Sequence, residues 1–249
     1  MTLPAPFRHE GEHLAIELPG GRALFTTRRG GVSHGPYTSL NLGTFTGDER
    51  ANVEGNRERL AELVDIPTER FAQGRQMHEA TVRRRREPPD PAERPPAPAD
   101  GQATDQTGVA SLVLVADCVP VALAGSEAVA MIHCGWRGLA GGIVAEGVAA
   151  LRELGADGTL TAAIGPGAGR CCYEVGEEVH AAFADLGPEV RDGRRLDLKL
   201  VTRRRLEAAG VPEIHDVDLC TMCSDPGLFF SHRRDGGDTG RQAGVVWRS

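Results

Sequence analysis

A thiol and an imidazole, two side chains that bind soft divalent metals, flank one short apolar hairpin. Ala116-Asp117-Cys118-Val119-Pro120 opens it, and His133-Cys134-Gly135-Trp136-Arg137-Gly138 closes it. Gly125-Ser126 suits a two-residue turn with Gly in the first central position. With that turn Ala124 faces Glu127, and Cys118 is predicted directly opposite His133. Facing side chains of an antiparallel pair lie about 5 Å apart at Cβ. That is close enough to share a metal ion or to act on each other. The ordinary alternative is a buried thiol near a satisfied histidine.

Two protein ligands seldom hold zinc, so a third must come from the other histidines. The candidate is His78 of Gln76-Met77-His78, where the chain leaves its first half. Two His and one Cys would leave one tetrahedral position open, as catalytic zinc sites do, and such an ion activates water for attack on an electrophilic carbon. Asp117 is expected to orient a ligand or that water. Beyond His133, Gly135 to Gly138 lead into a predicted helix over 140–154. A Gly-rich helix start with Arg137 beside it can hold phosphate. Equally open is that the glycines permit close packing and Arg137 pairs with a carboxylate.

The other cysteines carry a weaker signal. Cys220-Thr221-Met222-Cys223 has CxxC spacing, and Cys171-Cys172 could complete four sulfurs. Adjacent cysteines are poor geometry for one tetrahedral ion and a second CxxC is missing, so a four-sulfur site is not expected. A redox CxxC usually opens a helix after a strand, whereas Asp225-Pro226-Gly227 interrupts the chain here.

The elements that must position these groups are read from periodicity. Apolar runs at 112–116, 119–124 and 128–132 are short and bounded by turn signals, which favours strands. Further strands are predicted at 22–27, 39–42, 161–164, 214–217 and 228–231. Helices are predicted over 50–64, where Val53, Leu60 and Leu63 share a face, and over 140–154, 173–186 and 197–209. The Pro- and Ala-rich stretch 87–108 reads as a long loop, of the kind that forms lids or disordered segments. Mixed strands and helices around a central hairpin imply an α/β (α+β) fold: a mixed sheet flanked by helices in a single domain over 1–249.

The chain has 249 residues, a hydrophobic fraction of 40%, a charged fraction of 25% and a net charge of −7. One large core is within reach of that length. The acidic balance argues against nucleic acid as the main partner, because phosphate backbones need a basic surface. The Arg runs 83–86 and 203–205 then read as solvated faces of a strand and a helix. No apolar stretch approaches the ~20 residues of a membrane span, and the N-terminus does not read as a signal peptide. The expected location is cytoplasmic, with reduced cysteines and a monomer or small homo-oligomer.

Taken together the motifs resemble one family. They are TTRRGGVSHGPYTSLNLG with Gly47-Asp48, Asn56-Arg57, Gln76-Met77-His78, Ala116-Asp117-Cys118-Val119-Pro120 and His133-Cys134-Gly135-Trp136-Arg137-Gly138. Gly165-Pro166, Cys172-Tyr173-Glu174-Val175-Gly176 and Phe230-Ser231-His232-Arg233-Arg234-Asp235 complete the set. The family is the laccase-domain proteins, once labelled multicopper polyphenol oxidases and later assigned as purine nucleoside phosphorylases with adenosine deaminase activity. The resemblance runs from about residue 22 to residue 245.

It implies a zinc site from His78, Cys118 and His133, and the preference for His78 rests partly on it. It also implies phosphorolysis of adenosine, inosine, guanosine and methylthioadenosine, and deamination of adenosine. Zinc deaminases need a proton-transfer group as well, a role for which Asp117 is the candidate. Phosphate is expected at Arg137, with Arg28 or Arg233 as alternates. This chain departs from the pattern at Cys134, where Ala is usual, at Glu79, where Gly is usual, and at Gly167, where Cys often stands. None of these removes a proposed ligand.

Other functions compete. True laccase centres need more histidines than the eight scattered here, although copper outcompetes zinc at N/S sites and copper-loaded protein could oxidise phenols incidentally. A metal-free Cys–His hydrolase or amidase would use Cys118 as nucleophile and His133 as base, and cell-wall precursor editing is a related option for bacterial family members. A metal-stabilised binding module would melt without metal and turn over no nucleoside.

Overall fold

In the computed structural model, which describes residues 2–90, 92 and 96–248, the chain opens with β1 (Arg8–Glu10), β2 (His13–Leu18) and β3 (Gly21–Phe25). Helix α1 (Arg50–Val64) precedes β4 (Phe71–Ala72), β5 (Val82–Arg85), β6 (Gly101–Thr104) and β7 (Ala110–Val115). The hairpin β8 (Val119–Ala124) and β9 (Val129–Cys134) runs into α2 (Trp136–Gly141) and α3 (Ile143–Glu153). Then come β10 (Thr161–Ile164), α4 (Glu177–Ala181), β11 (Arg191–Asp192) and β12 (Arg195–Leu196). Helix α5 (Leu198–Ala208), β13 (Glu213–Asp216) and β14 (Gln242–Trp247) complete the order.

Among the described residues the strands form two six-stranded mixed sheets, β1-β2-β3-β14-β7-β4 and β13-β10-β8-β9-β6-β5, and the pair β11-β12. Alternation along each strand sorts its side chains into layers. Leu14, Ile16, Phe25 and Val113 of the first sheet meet Ala122, Val129, Met131 and Ala163 of the second. The outer face of the second sheet, with Val121, Leu123 and Ile132, is covered by Ile143, Leu151, Val201 and Leu206 of α3 and α5. The outer face of the first, with Leu24, Leu112 and Val245, takes Leu60 and Val64 of α1. Helix, sheet, sheet and helices thus stack in one mixed α/β domain. Both faces of β8 and β9 are buried, which is why they read as unbroken apolar runs. Burying each Leu, Ile or Phe contributes about 1.5–3 kcal/mol. No helix among the described residues is long and apolar enough to cross a membrane.

Several expectations need correction. The expected mixed-sheet core is built from two sheets. The hairpin turn lies one residue later: the Gly125 N–H donates to Ala128 O at 3.0 Å, with Ser126 and Glu127 exposed at the tip. Pro120 therefore pairs with His133 and Val119 with Cys134. The predicted helix 140–154 is two helices broken at Gly142, where φ is +93°, a value favourable only for glycine. The helix predicted at 173–186 is reduced to the five residues of α4, followed by a 3-10 turn at Ala184–Leu186. Residues 39–42 and 228–231 carry apolar side chains inward but are not strands. Backbone groups of Phe230 are paired by the Gln242 side chain, at 2.8 and 3.1 Å, instead of by a neighbouring strand. The loop expected at 87–108 is shorter, because Gly101–Thr104 forms a buried strand; Pro91 and residues 93–95 within it lie outside the described residues. The Arg runs fall on β5, with Arg86 just past its end, and on α5, but residues 83–85 and 203–205 are half-buried instead of solvated: Arg84 bonds Glu146 and Glu153 of α3, and Arg205 bonds Asp185.

Candidate metal centre

The centre lies at the end of the layer between the sheets, where β8 begins and β9 stops. Cys118 and His133 point to the same face in the predicted and the observed register, because moving the turn by one residue preserves the pleat of both strands. Continuing the observed register sets Gly135 opposite Cys118, and His133 lies diagonally from it. A Cβ built on Gly135 would stand 3.1 Å from both Cys118 Sγ and His78 Cδ2. The missing side chain at 135 opens the space into which the three groups converge.

One ligand atom from each of His78, Cys118 and His133 lies within 4.8 Å of the others. The imidazoles of His78 and His133 meet edge to face, with centroids 4.9 Å apart. Asp100, fully buried, organises both histidines. Its Oδ1 lies 2.8 Å from His133 Nδ1, which leaves Nε2 as the free ligand nitrogen. Its two oxygens also accept the backbone N–H groups of Met77, His78 and Glu79 at 2.9 to 3.0 Å. These bonds hold His78 at φ +62°, a left-handed conformation uncommon outside glycine. Upstream, the Gln76 side chain bonds both backbone groups of Leu114 at 2.8 Å and fastens the segment to β7.

Asp117 performs the matching task for Cys118. It sits at φ +90°, with Oδ1 accepting the Thr221 hydroxyl at 2.7 Å and Oδ2 accepting the Arg233 N–H at 2.8 Å. Its carbonyl accepts from Ala168 N at 2.7 Å. The carboxylate is thus occupied in bracing the turn that aims Cys118. Cys134 faces away into the core beside Val119, Ile132 and Leu139, so it does not compete for the site.

Electrostatics favour a charged pair here. Burial raises the Cys118 thiol, but His133 and His78 outweigh it and bring the thiol down to about 6. Burial lowers His133, yet Cys118 and Asp100 carry it up to about 9. Burial works against the Asp100 carboxylate as well; its bonds from His133 and the backbone hold it below the usual range. Thiolate and imidazolium are therefore the metal-free forms near neutrality. A thiolate, two imidazoles and a buried carboxylate fit a borderline-soft divalent ion.

The arginines divide by how their donors are used. Arg28 donates to the carbonyls of Thr38, Pro226 and Pro36 at 2.5, 3.0 and 3.3 Å and lies over the Phe230 ring at 4.4 Å. That makes it a brace between loops. Arg233 donates to Glu174 O at 2.7 Å and lies 5.3 Å from the Tyr173 ring. Arg137 is exposed and stacks on Trp136 at 4.3 Å. The open question about the glycines resolves toward packing at Gly138, whose Cβ would stand 3.1 Å from Glu79 O. With α2 only six residues long, the exposed Arg137 side chain is the candidate anion donor there, not the helix start.

Sequence reasoning misses three residues here. Asp100 is absorbed into the Pro-rich stretch; its signal is a lone acid followed by Gly101, where that composition ends. Tyr173 is raised to about 12, first by burial and then by the charges of Cys118 and Asp117, with Arg233 and Arg137 opposing. Arg241 is lowered by burial and held up by Cys118, Asp117 and Tyr37. The geometric objection to the other cysteines is removed: the sulfurs of Cys171, Cys172, Cys220 and Cys223 all lie within 4.8 Å of one another. Adjacent cysteines reach one point because the chain turns sharply there, with Cys172 N and Tyr173 N both donating to Gly169 O.

Comparisons with known proteins agree with this architecture. Residues 22–249 match the family described as multi-copper polyphenol oxidoreductase laccase. The chain is 40% identical to purine nucleoside phosphorylase YlmD of Geobacillus stearothermophilus, covering 94% of this chain and 92% of that protein. It is 36% identical to purine nucleoside phosphorylase YfiH of Shigella flexneri, over 92% and 95% of the two chains. Among solved structures, the hypothetical protein YfiH of Bacillus licheniformis superposes with a TM-score of 0.91 at 32% identity, covering 99% of this chain and all of that one. The structure of YlmD from Geobacillus stearothermophilus gives 0.88 at 37% identity, over 98% and 99%. The chain belongs to the multi-copper polyphenol oxidoreductase laccase family.

Proposed function

We propose that this protein is a zinc-dependent purine nucleoside phosphorylase that also deaminates adenosine. The observation that carries the reading is the convergence of two imidazoles and a thiol within 4.8 Å, one imidazole locked by a buried carboxylate. The names borne by relatives at about 40% identity over nearly the whole chain point to nucleosides and phosphate as substrates. A divalent ion held by His78, Cys118 and His133 would supply Lewis acidity at the purine, zinc being the assigned ion and copper its competitor.

Residues around the ligands divide the remaining work. Arg137 and Arg233 are assigned to phosphate, since a guanidinium matches its oxygens bidentately. In phosphorolysis a phosphate oxygen bonds to C1′ as the C1′–N9 bond breaks; the electron pair leaves with the purine, which takes a proton. Tyr173, kept protonated by burial beside Cys118, is the neutral donor assigned to the base. Met77, 44% exposed next to His78, offers an apolar surface for a purine. Asp117 is assigned to positioning, because both its oxygens are already engaged.

Incubating metal-defined protein with adenosine tests the reading. Adenine and ribose 1-phosphate are expected only with phosphate present, and inosine without it. If neither product forms in zinc-loaded protein, the assignment fails.

The thiolate–imidazolium tendency favours one second reading, a metal-free Cys–His hydrolase. Chelation separates the two. A metalloenzyme loses activity to the chelator and regains it with zinc, whereas a cysteine hydrolase keeps activity under chelation and loses it to thiol alkylation.

A further inference from the structure

Away from the centre, two loops follow the parallel neighbours β10 and β13 and carry the remaining four cysteines. Cys171 and Cys172 lie on the first, Cys220 and Cys223 on the second. A main-chain bridge joins the loops at Gly167 and Cys220. Cys171 Sγ lies 3.0 Å from Cys223 Sγ and 3.5 Å from Cys172 Sγ, and all four sulfurs fall within 4.8 Å of one another. Four thiolates about 2.3 Å from a tetrahedral zinc stand about 3.8 Å apart, inside that range.

A second observation is independent of those spacings. Gly169 N donates to Cys220 Sγ at 3.2 Å, and burial, which raises that thiol, is outweighed by backbone hydrogen bonds that hold it below its ordinary value. Peptide N–H groups folded around the first sulfur of a CxxC orient it and delocalise thiolate charge, as partners of metal ligands do. Ser224 N closes the turn onto Cys220 O at 3.2 Å. A Cβ on Gly169 would stand 3.1 Å from Cys220 Cβ and 3.3 Å from Cys171 Sγ, so the first loop is shaped to seat against the sulfurs.

We propose that Cys171, Cys172, Cys220 and Cys223 form a second, structural zinc site that clasps the loops after β10 and β13. Binding is an exchange of protons for metal: one Zn²⁺ displaces the protons of up to four thiols, and no electrons move. All four positions are filled by protein, so the site has no vacancy for substrate. The clasp reaches the first centre through residues on the same loops. Thr221, between Cys220 and Cys223, holds Asp117, and Tyr173 follows Cys172 directly. A redox role fits less well, because the closest sulfurs, Cys171 and Cys223, belong to different loops and the other two crowd the same point.

Metal analysis of the purified full chain tests the proposal, independently of any nucleoside activity. Two zinc ions per chain are expected in the wild type and one in the Cys171→Ser/Cys223→Ser double variant. Cys118→Ser protein reloaded with cobalt should retain the intense thiolate-to-cobalt absorption of a tetrahedral sulfur site. If the double variant does not fold, the wild-type stoichiometry and the cobalt spectrum decide. The proposal is overturned by zinc-free wild-type protein, by an unchanged zinc count in the folded double variant, or by loss of the cobalt–thiolate bands in Cys118→Ser. A Cys171–Cys223 disulfide in freshly purified protein, seen as a mass deficit of two hydrogens, would overturn it too.

Discussion

The two sulfur-bearing clusters are built on opposite principles. At His78, Cys118 and His133 the donors are mixed, one is almost fully buried, and two carboxylates, Asp100 and Asp117, hold the backbone that presents them. At Cys171, Cys172, Cys220 and Cys223 the donors are all sulfur, none is fully buried, and peptide N–H groups take the place of carboxylates. Three ligands with stored backbone conformation suit a centre that leaves room for reactants; four ligands on paired loops suit a clasp. Burial and orientation, not the count of cysteines, separate the two.

The comparison is broken most forcefully at the ligands. Cys118→Ser or His133→Ala is expected to remove one metal equivalent and lower nucleoside kcat/KM by more than ~100-fold, beyond the 10–100-fold typical when only a ligand's partner is lost. Metal analysis with steady-state kinetics checks this; unchanged activity in metal-depleted Cys118→Ser would place the chemistry elsewhere. Asp100→Asn sharpens the contrast because it leaves every ligand in place. Metal affinity should fall about 10–100-fold, and thermal unfolding should show a loss of about 1–3 kcal/mol from the weakened buried hydrogen bonds.

Arg137→Ala is expected to raise the KM for phosphate by about 10–100-fold, the loss of a charged hydrogen bond, with little change in the KM for nucleoside. Equal changes in both would remove Arg137 from the anion site. Gly135→Ala tests the cradle: its methyl would press on Cys118 and His78, costing about 1–3 kcal/mol and read as weaker metal binding with the four-cysteine site intact.

The mildest perturbation is pH on metal-free protein. Cys118 titrates in the fold at about 6, below its ordinary value. Its contribution to stability is complete above that ordinary value and is lost as pH falls through about 6. His133 titrates at about 9, above its ordinary value; its contribution is complete below the ordinary value and is lost as pH rises through about 9. The charged pair therefore spans about pH 6 to 9, where Tm should show a broad maximum. Alkylation of Cys118 should have a midpoint near 6 and slow when zinc is added. A midpoint near 9 would mean that the imidazoles do not sustain the thiolate.

Much of the fold, and the three residues of the first cluster, are legible in the order of residues. Helix α1 occupies the expected 50–64, with Val53 and Leu60 on its buried face and Val64 in place of the expected Leu63, and β8 and β10 lie at 119–124 and 161–164 because a buried strand has no polar alternation to obscure it. Cys118 and His133 are brought together in either reading because the hairpin pleat survives an error in the turn, whereas the choice of His78 rests partly on the family resemblance. Asp100 is hidden because its partners, the backbone of 77–79 and His133, are remote in sequence. Strand β14 escapes local reading although it lies between β3 and β7; its partners are likewise distant segments. Segments such as 228–231 mislead because the side chain of Gln242 replaces a neighbouring strand. Spacing alone argues against the four-cysteine cluster, since nothing local predicts that two loops will be brought together by β10 and β13.

Anomalous diffraction at the zinc edge, on crystals of the zinc-loaded protein, addresses the central claim most directly. A peak is expected within bonding distance of His78, Cys118 Sγ and His133 Nε2, with a fourth coordination position unfilled by protein. Absence of that peak, or a fourth protein ligand closing the position, would contradict it.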